Sequence, residues 1–141
     1  MMTILHRSLG DPARRSRVGW VLLRVLLAGL IAAHGWARLT AGAVVPFGDW
    51  LGAQGLPFGF AIAVAVTAVE IVGTPLYALG RVVAPLSMLY AAIYTVGIAM
   101  VHAKAGWFVV GLGRNGAEYS VLLIACLLCV GLQHLRARRA G

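Results

Sequence analysis

The chain has 141 residues, 61% hydrophobic and 11% charged, with a mean hydropathy of +0.90 and a formal net charge of +8. Soluble domains average about 45–50% apolar and about 25% charged residues, and a monomer this small lacks the interior volume to hide the excess. A water-soluble globule is therefore excluded. With only Cys126 and Cys129, so is a disulfide framework.

The first 17 residues are basic, with Arg7, Arg14, Arg15 and Arg17. Basic residues gathered at the chain ends, rather than interleaved with aromatics along one surface, point away from nucleic acid and toward a bilayer flanked by anionic lipid. The following apolar run is longer than the about 7–15 residues of a signal peptide, so it reads as an uncleaved first span, about 18–38, opened by Trp20 as an interface anchor. Residues 40–58 contain Pro46, Gly48, Gly52, Gly55 and Pro57 and read as a loop, with Phe47–Leu51 as a short amphipathic piece in the interface. The second span covers about 59–79, the turn Gly80-Arg81 follows, and the third span covers about 82–101. Pro75 and Pro85 interrupt the helical pattern beside that turn. A polar, glycine-rich segment runs from His102 to Ala117, and the fourth span covers about 118–135. A basic tail, 136–141, carries Arg136, Arg138 and Arg139.

These elements predict an all-α integral membrane protein, a four-helix bundle formed by residues 18–135. Eight Lys and Arg residues fall on the side of the termini and the Gly80-Arg81 turn, against three on the other. By the positive-inside rule both termini are cytoplasmic, and the two longer loops lie outside.

Ionisable side chains inside such spans cost several kcal/mol unless they are paired, so each demands a partner or a role. At about 100° per residue, Arg24, His34 and Arg38 share an arc of about 80° on the first helix. On the second helix, Thr67, Glu70 and Thr74 share an arc, with Glu70 about 16 Å from the outer end at 1.5 Å per residue. Its expected partner is Arg38 or Arg24. Ser87, Tyr90, Tyr94 and Gly97 align on the third helix, whose outer end carries His102. The fourth helix opens with Glu118 and Tyr119. His34, Arg38, His102 and Glu118 thus gather near the outer face with Glu70 beneath them. One function for such a group is proton exchange with a small lipophilic ligand. A quinol, for instance, needs proton acceptors within hydrogen-bond reach of both ring oxygens. The competing structural reading is a polar network that fastens helices together, each contact being worth about 0.6–2 kcal/mol.

His34 and His102 meet the minimal condition for axial haem ligands, but a histidine at a helix end is more commonly solvated, so haem is disfavoured. Cys126 and Cys129 sit inside the fourth span, where low dielectric opposes thiolate formation, and read as packing residues rather than a redox pair. No dinucleotide fingerprint, nucleotide loop or metal-ligand spacing occurs.

The ordered pieces of this pattern resemble the DoxX family of small bacterial membrane proteins. They are Arg24, then Gly35-Trp36-Ala37-Arg38, then Leu51-Gly52-Ala53-Gln54-Gly55-Leu56-Pro57, then Glu70 with Gly73. After the Gly80-Arg81 turn come His102 before Gly106-Trp107-Phe108, and Gly116-Ala117-Glu118-Tyr119. The resemblance covers about residues 18–135. It implies a four-helix fold in the bacterial inner membrane and an association with respiratory quinones, since related proteins include small subunits of a terminal quinol oxidase and of thiosulfate–quinone oxidoreductase. Fold membership fixes architecture better than activity. By position, the family's polar residues correspond to Arg38, Glu70, His102 and Glu118.

The expected roles follow. Glu70 and His102 move protons, Arg38 orients an oxygen or offsets negative charge, and Glu118 positions His102. His34, Tyr90, Tyr94 and Trp107 line the ligand pocket. Quinone is the expected ligand, with a partner protein supplying the redox centre. Ala28 and Ala32 can serve bundle packing or a homo-oligomer. Two other classes fit the same residues: a solute or proton transport component using Glu70 as a relay, and a structural scaffold for a partner complex.

Overall fold

A computed structural model describes residues 11–111 and 113–135; the basic residues 1–10 and the tail 136–141 lie outside them. All regular structure in the described residues is helical: α1 (Pro12–Thr40), α2 (Val44–Ala53), α3 (Gly59–Ala78), α4 (Val83–Ala105) and α5 (Glu118–Gln133). α1, α3 and α4 are long and apolar enough to cross a membrane, and α5 is a shorter apolar helix. Exposed Leu22, Val25, Leu26, Val72, Met88 and Leu122 give the bundle an apolar exterior suited to lipid.

α1 starts six residues before the expected span because Asp11 caps it, accepting a hydrogen bond from Ala13 N at 3.0 Å, and Pro12 occupies the first helical position. It packs against α3 and α5, and α4 packs along α5. The core between them contains Leu27, Ala28, Ile31, Tyr77, Tyr90, Leu123, Leu127 and Val130. Ala28 is therefore used within the bundle. At Gly131 the helices meet closely, since a Cβ there would stand 2.9 Å from Ser87 Cβ.

Two expectations are corrected. Residues 44–53, read as loop, form α2. Pro46 lies in its first turn, where a missing N–H costs nothing. Gly48 is not a breaker but a contact, because a Cβ there would lie 2.7 Å from Phe60 Cα on α3. Pro85 likewise falls in the first turn of α4 and interrupts nothing.

Pro75 does act. It offers no N–H to the carbonyls one turn back and crowds them with its ring. The chain answers with a π turn over Val69–Gly73, and side chains satisfy the loosened carbonyls. The Thr74 hydroxyl donates to Glu70 O at 2.7 Å and the Tyr90 hydroxyl donates to Val69 O at 2.9 Å. Tyr90 reaches this position only because residue 73 is glycine, where a Cβ would stand 2.5 Å from the Tyr90 oxygen. A second π turn, Ile98–His102, ends on His102.

Gly48→Val forces α2 away from the α3 backbone and is expected to destabilise the protein by about 1–3 kcal/mol, the usual range for overpacking. Gly19→Ala, with nothing within 4 Å of the added carbon, is expected to be neutral or slightly stabilising. Thermal unfolding of both variants in one detergent compares them.

Candidate functional site

The Arg38 side chain turns down from the last turn of α1 to α3. Its Nη1 donates to Glu70 Oε2 at 2.7 Å and to Thr67 Oγ1 at 3.1 Å. The Thr67 hydroxyl donates in turn to Ala63 O at 2.7 Å, so the hydroxyl is both a donor and an acceptor. The guanidinium carbon lies 4.6 Å from the ring centroid of Phe47 on α2, a cation–π contact. Glu70 is only 3% exposed and stands on the π turn. α1 comes this close because residue 35 is glycine: a Cβ there would meet Glu70 Cβ at 2.8 Å. Of the two cations expected as partners of Glu70, Arg38 takes the role. Arg24 is engaged elsewhere, donating from Nε to Ala78 O at 3.2 Å and contacting His134 Nε2 through Nη1 at 2.8 Å.

The ion pair borders a cavity of about 560 Å³. Arg38 and Glu70 share its wall with His34 from α1, Phe47, Trp50 and Leu51 from α2, Tyr94 and His102 from α4, and Tyr119 from α5. Ile62, Val66, Ile93, Val96, Met100 and Val101 make most of the remaining wall apolar. α3 and α4 touch nearer the Gly80-Arg81 turn, where Tyr77 Oη and Ser87 Oγ are 3.2 Å apart and the Tyr77 and Tyr90 rings meet edge to face. The cavity fills the space between them beyond that contact.

Both imidazoles are oriented by a backbone carbonyl. His34 Nδ1 is 2.9 Å from Leu30 O and His102 Nδ1 is 2.8 Å from Asn115 O. A carbonyl oxygen only accepts, so Nδ1 carries the proton in each ring, and Nε2 is left as a lone-pair acceptor when the ring is neutral. Asn115 offers its carbonyl from a left-handed conformation, φ 61°, which asparagine tolerates better than most residues. The Tyr94 ring packs edge-on against His34, with centroids 6.3 Å apart. Its hydroxyl is buried without a hydrogen-bond partner among the described residues. A buried polar atom left unpaired is costly, and this one belongs to a residue of the cavity wall.

Three expected site residues stand differently. Tyr90 does not line the cavity; its hydroxyl is bound to Val69 O, so it braces the π turn from behind. Trp107 is 54% exposed and outside the cavity wall, because its loop folds back on the start of α5. Glu118 does not bond His102. Its Oε1 accepts from Val109 N at 2.9 Å while its own N–H donates to Trp107 O at 3.0 Å. It acts on His102 at one remove, by closing the loop that contains Asn115.

The sequence reading missed Phe47 and Trp50 as cavity walls, although their three-residue spacing puts them on one face of a helix and their rings stack. Asn115 had no sequence signal, since it acts through its backbone. His134 meets Arg24. Cys126 and Cys129 are free thiols, the first packed against the core and the second exposed. No group of three or more metal-binding side chains occurs among the described residues.

Comparison with known proteins finds no matching family, no matching curated protein and no matching solved structure.

Arg38→Leu leaves the Glu70 carboxylate buried without its cation and is expected to cost about 3–5 kcal/mol. The double variant Arg38→Leu/Glu70→Leu removes both charges and is expected to recover most of that loss, as a double-mutant cycle of unfolding free energies in detergent measures.

Proposed function

We propose that this chain is a DoxX-like subunit of quinone-linked redox chemistry in the bacterial plasma membrane, binding a quinol in the cavity beside Arg38 and Glu70. In this reading four helices span the bilayer. α5, with 16 residues, covers about 24 Å at 1.5 Å per residue. Both chain ends face the cytoplasm, an orientation supported by the imbalance of basic residues between the two ends of the bundle. The cavity then opens near the outer face.

The single observation carrying the proposal is the make-up of the cavity wall: an apolar chamber of about 560 Å³ in which two imidazoles, two phenols and an ion pair converge. Most ligand sites have this character, apolar surface for affinity with a few polar groups for orientation. The size suits a substituted aromatic ring, and Phe47 and Trp50 offer flat surfaces to it. Oxidation of a hydroquinone to a quinone releases two protons and two electrons. Nε2 of His34 and Nε2 of His102 accept the two hydroxyl protons. Arg38 holds the Glu70 carboxylate in place on the cavity wall, and Glu70 takes a proton from one of these imidazoliums and passes it on. The Tyr94 hydroxyl finds its partner in a ring oxygen. The electrons leave to a redox centre on a partner protein.

The test uses purified protein in lipid nanodiscs, titrated with a short-chain quinone while the fluorescence of Trp50 is followed against a Trp50→Phe control. Saturable quenching that depends on Trp50 is the expected result. Tyr94→Phe is expected to weaken binding about tenfold, the worth of one hydrogen bond to the ligand, with the thermal midpoint unchanged. Absence of any Trp50-dependent quenching overturns the proposal. Proton flux in proteoliposomes abolished by Glu70→Gln, without quinone binding, assigns the site to transport instead.

A further inference from the structure

At the opposite end of the bundle a second, smaller pocket of about 310 Å³ lies between the first turns of α1 and the end of α5. Its polar lining comprises Ser16, Arg17, Arg24, Gln133 and His134, with Trp20 beside them. On α1 these positions recur at three- and four-residue intervals, so one face of the helix supplies them.

Charge is the unusual feature of this pocket. The sequence has four acidic residues, Asp11, Asp49, Glu70 and Glu118. Asp49 on α2, Glu70 in its pair with Arg38, and Glu118 at the start of α5 all belong to the cavity end. Asp11 caps α1 through Ala13 N and is not part of the pocket lining. Among the described residues no carboxylate therefore lines the pocket, yet Arg24 is half-buried there. A cation removed from water normally has an anionic partner.

Arg24 is also held still. Nε is bound to Ala78 O, the Gly80 turn lies against the guanidinium, and Nη1 meets His134 Nε2. His134 Nδ1 faces Val130 O at 2.9 Å and therefore carries the ring proton, leaving Nε2 to accept from Arg24. The guanidinium has five N–H donors, of which these contacts use two, so three remain for a ligand. A fixed, planar donor set of this kind matches two oxygens of a phosphate.

We propose that this pocket binds the phosphate of an anionic glycerophospholipid, with Arg24 and Arg17 as its cations and Ser16 and Gln133 as further donors. Phosphate recognition fits the donors. A lipid is the source because the pocket sits where the long apolar helices end, at the depth of headgroups, with Trp20 at the same level. A bound phosphate completes the Arg24–His134 contact and ties the ends of α1, α3 and α5 together.

The experiment measures the thermal midpoint of the full chain in neutral detergent during titration with phosphatidylglycerol, phosphatidylcholine or inorganic phosphate. Phosphatidylglycerol is expected to stabilise saturably, and the other two are not. R17Q, an exposed position whose loss leaves the fold intact, is expected to weaken the phosphatidylglycerol effect about fivefold, the worth of one cation beside an anionic lipid. R24Q is expected to weaken it further. R15Q removes the same charge from the same helix outside the pocket and is expected to leave it unchanged. Equal losses in R17Q and R15Q would overturn the site in favour of diffuse attraction. Equal stabilisation by inorganic phosphate would overturn the lipid as its source.

Discussion

The Arg38–Glu70 pair constrains everything around it. Two charges in an apolar interior are tolerated only when they meet at hydrogen-bond distance and their remaining polar capacity is met. That requirement explains the glycine at 35, which lets α1 approach α3. It explains Thr67, a hydroxyl on the adjacent turn that accepts from the same guanidinium nitrogen. It also gives α2 a reason to fold over the site, since Phe47 covers the far face of the guanidinium. The cavity is what remains when three elements are drawn to one ion pair while α4 stands back.

The sequence revealed the helices and the polar residues of the site through two simple signals, hydropathy over about 20 residues and angular clustering at about 100° per residue. Both signals depend on a regular helix. Where the helix departs from regularity, inference failed. Tyr90 and Tyr94, four residues apart, share a face by spacing, yet the π turn and Gly73 draw the first hydroxyl onto Val69 O and leave the second at the cavity. Gly48 of α2 carried the opposite of its usual meaning. In an isolated peptide it weakens a helix, but against the α3 backbone it permits contact that any larger residue prevents. Pro75 and Pro85 differ in the same way, one being deep in a helix and the other in a first turn. Glu118 was expected to position His102 because both lie at the same end of the bundle, yet no direct bond joins them. Here it closes a loop, and a backbone carbonyl makes the bond.

The two ends of the molecule have different electrostatic character. Three of the four carboxylates belong to the cavity end, two of them engaged by a guanidinium or a backbone amide. The other end concentrates arginines and one capping aspartate. The larger cavity and the smaller arginine-lined pocket thus occupy opposite ends of one helix, α1, with Arg38 on the wall of the first and Arg24 on that of the second.

The π turn in α3 has a consequence for how this helix records information. An additional residue wound into one turn shifts the phase of everything downstream by about 100° relative to an unbroken helix. Thr67 and Glu70 address α1 from one side of that shift, and Tyr77 addresses Ser87 on α4 from the other. The geometry is therefore stored in a count of residues as much as in their kinds. A chain shortened by one apolar residue between Glu70 and Pro75 would keep its hydropathy profile but rotate Tyr77 off its partner. Among changes that leave oil and water balanced, those in length are the ones this helix cannot absorb.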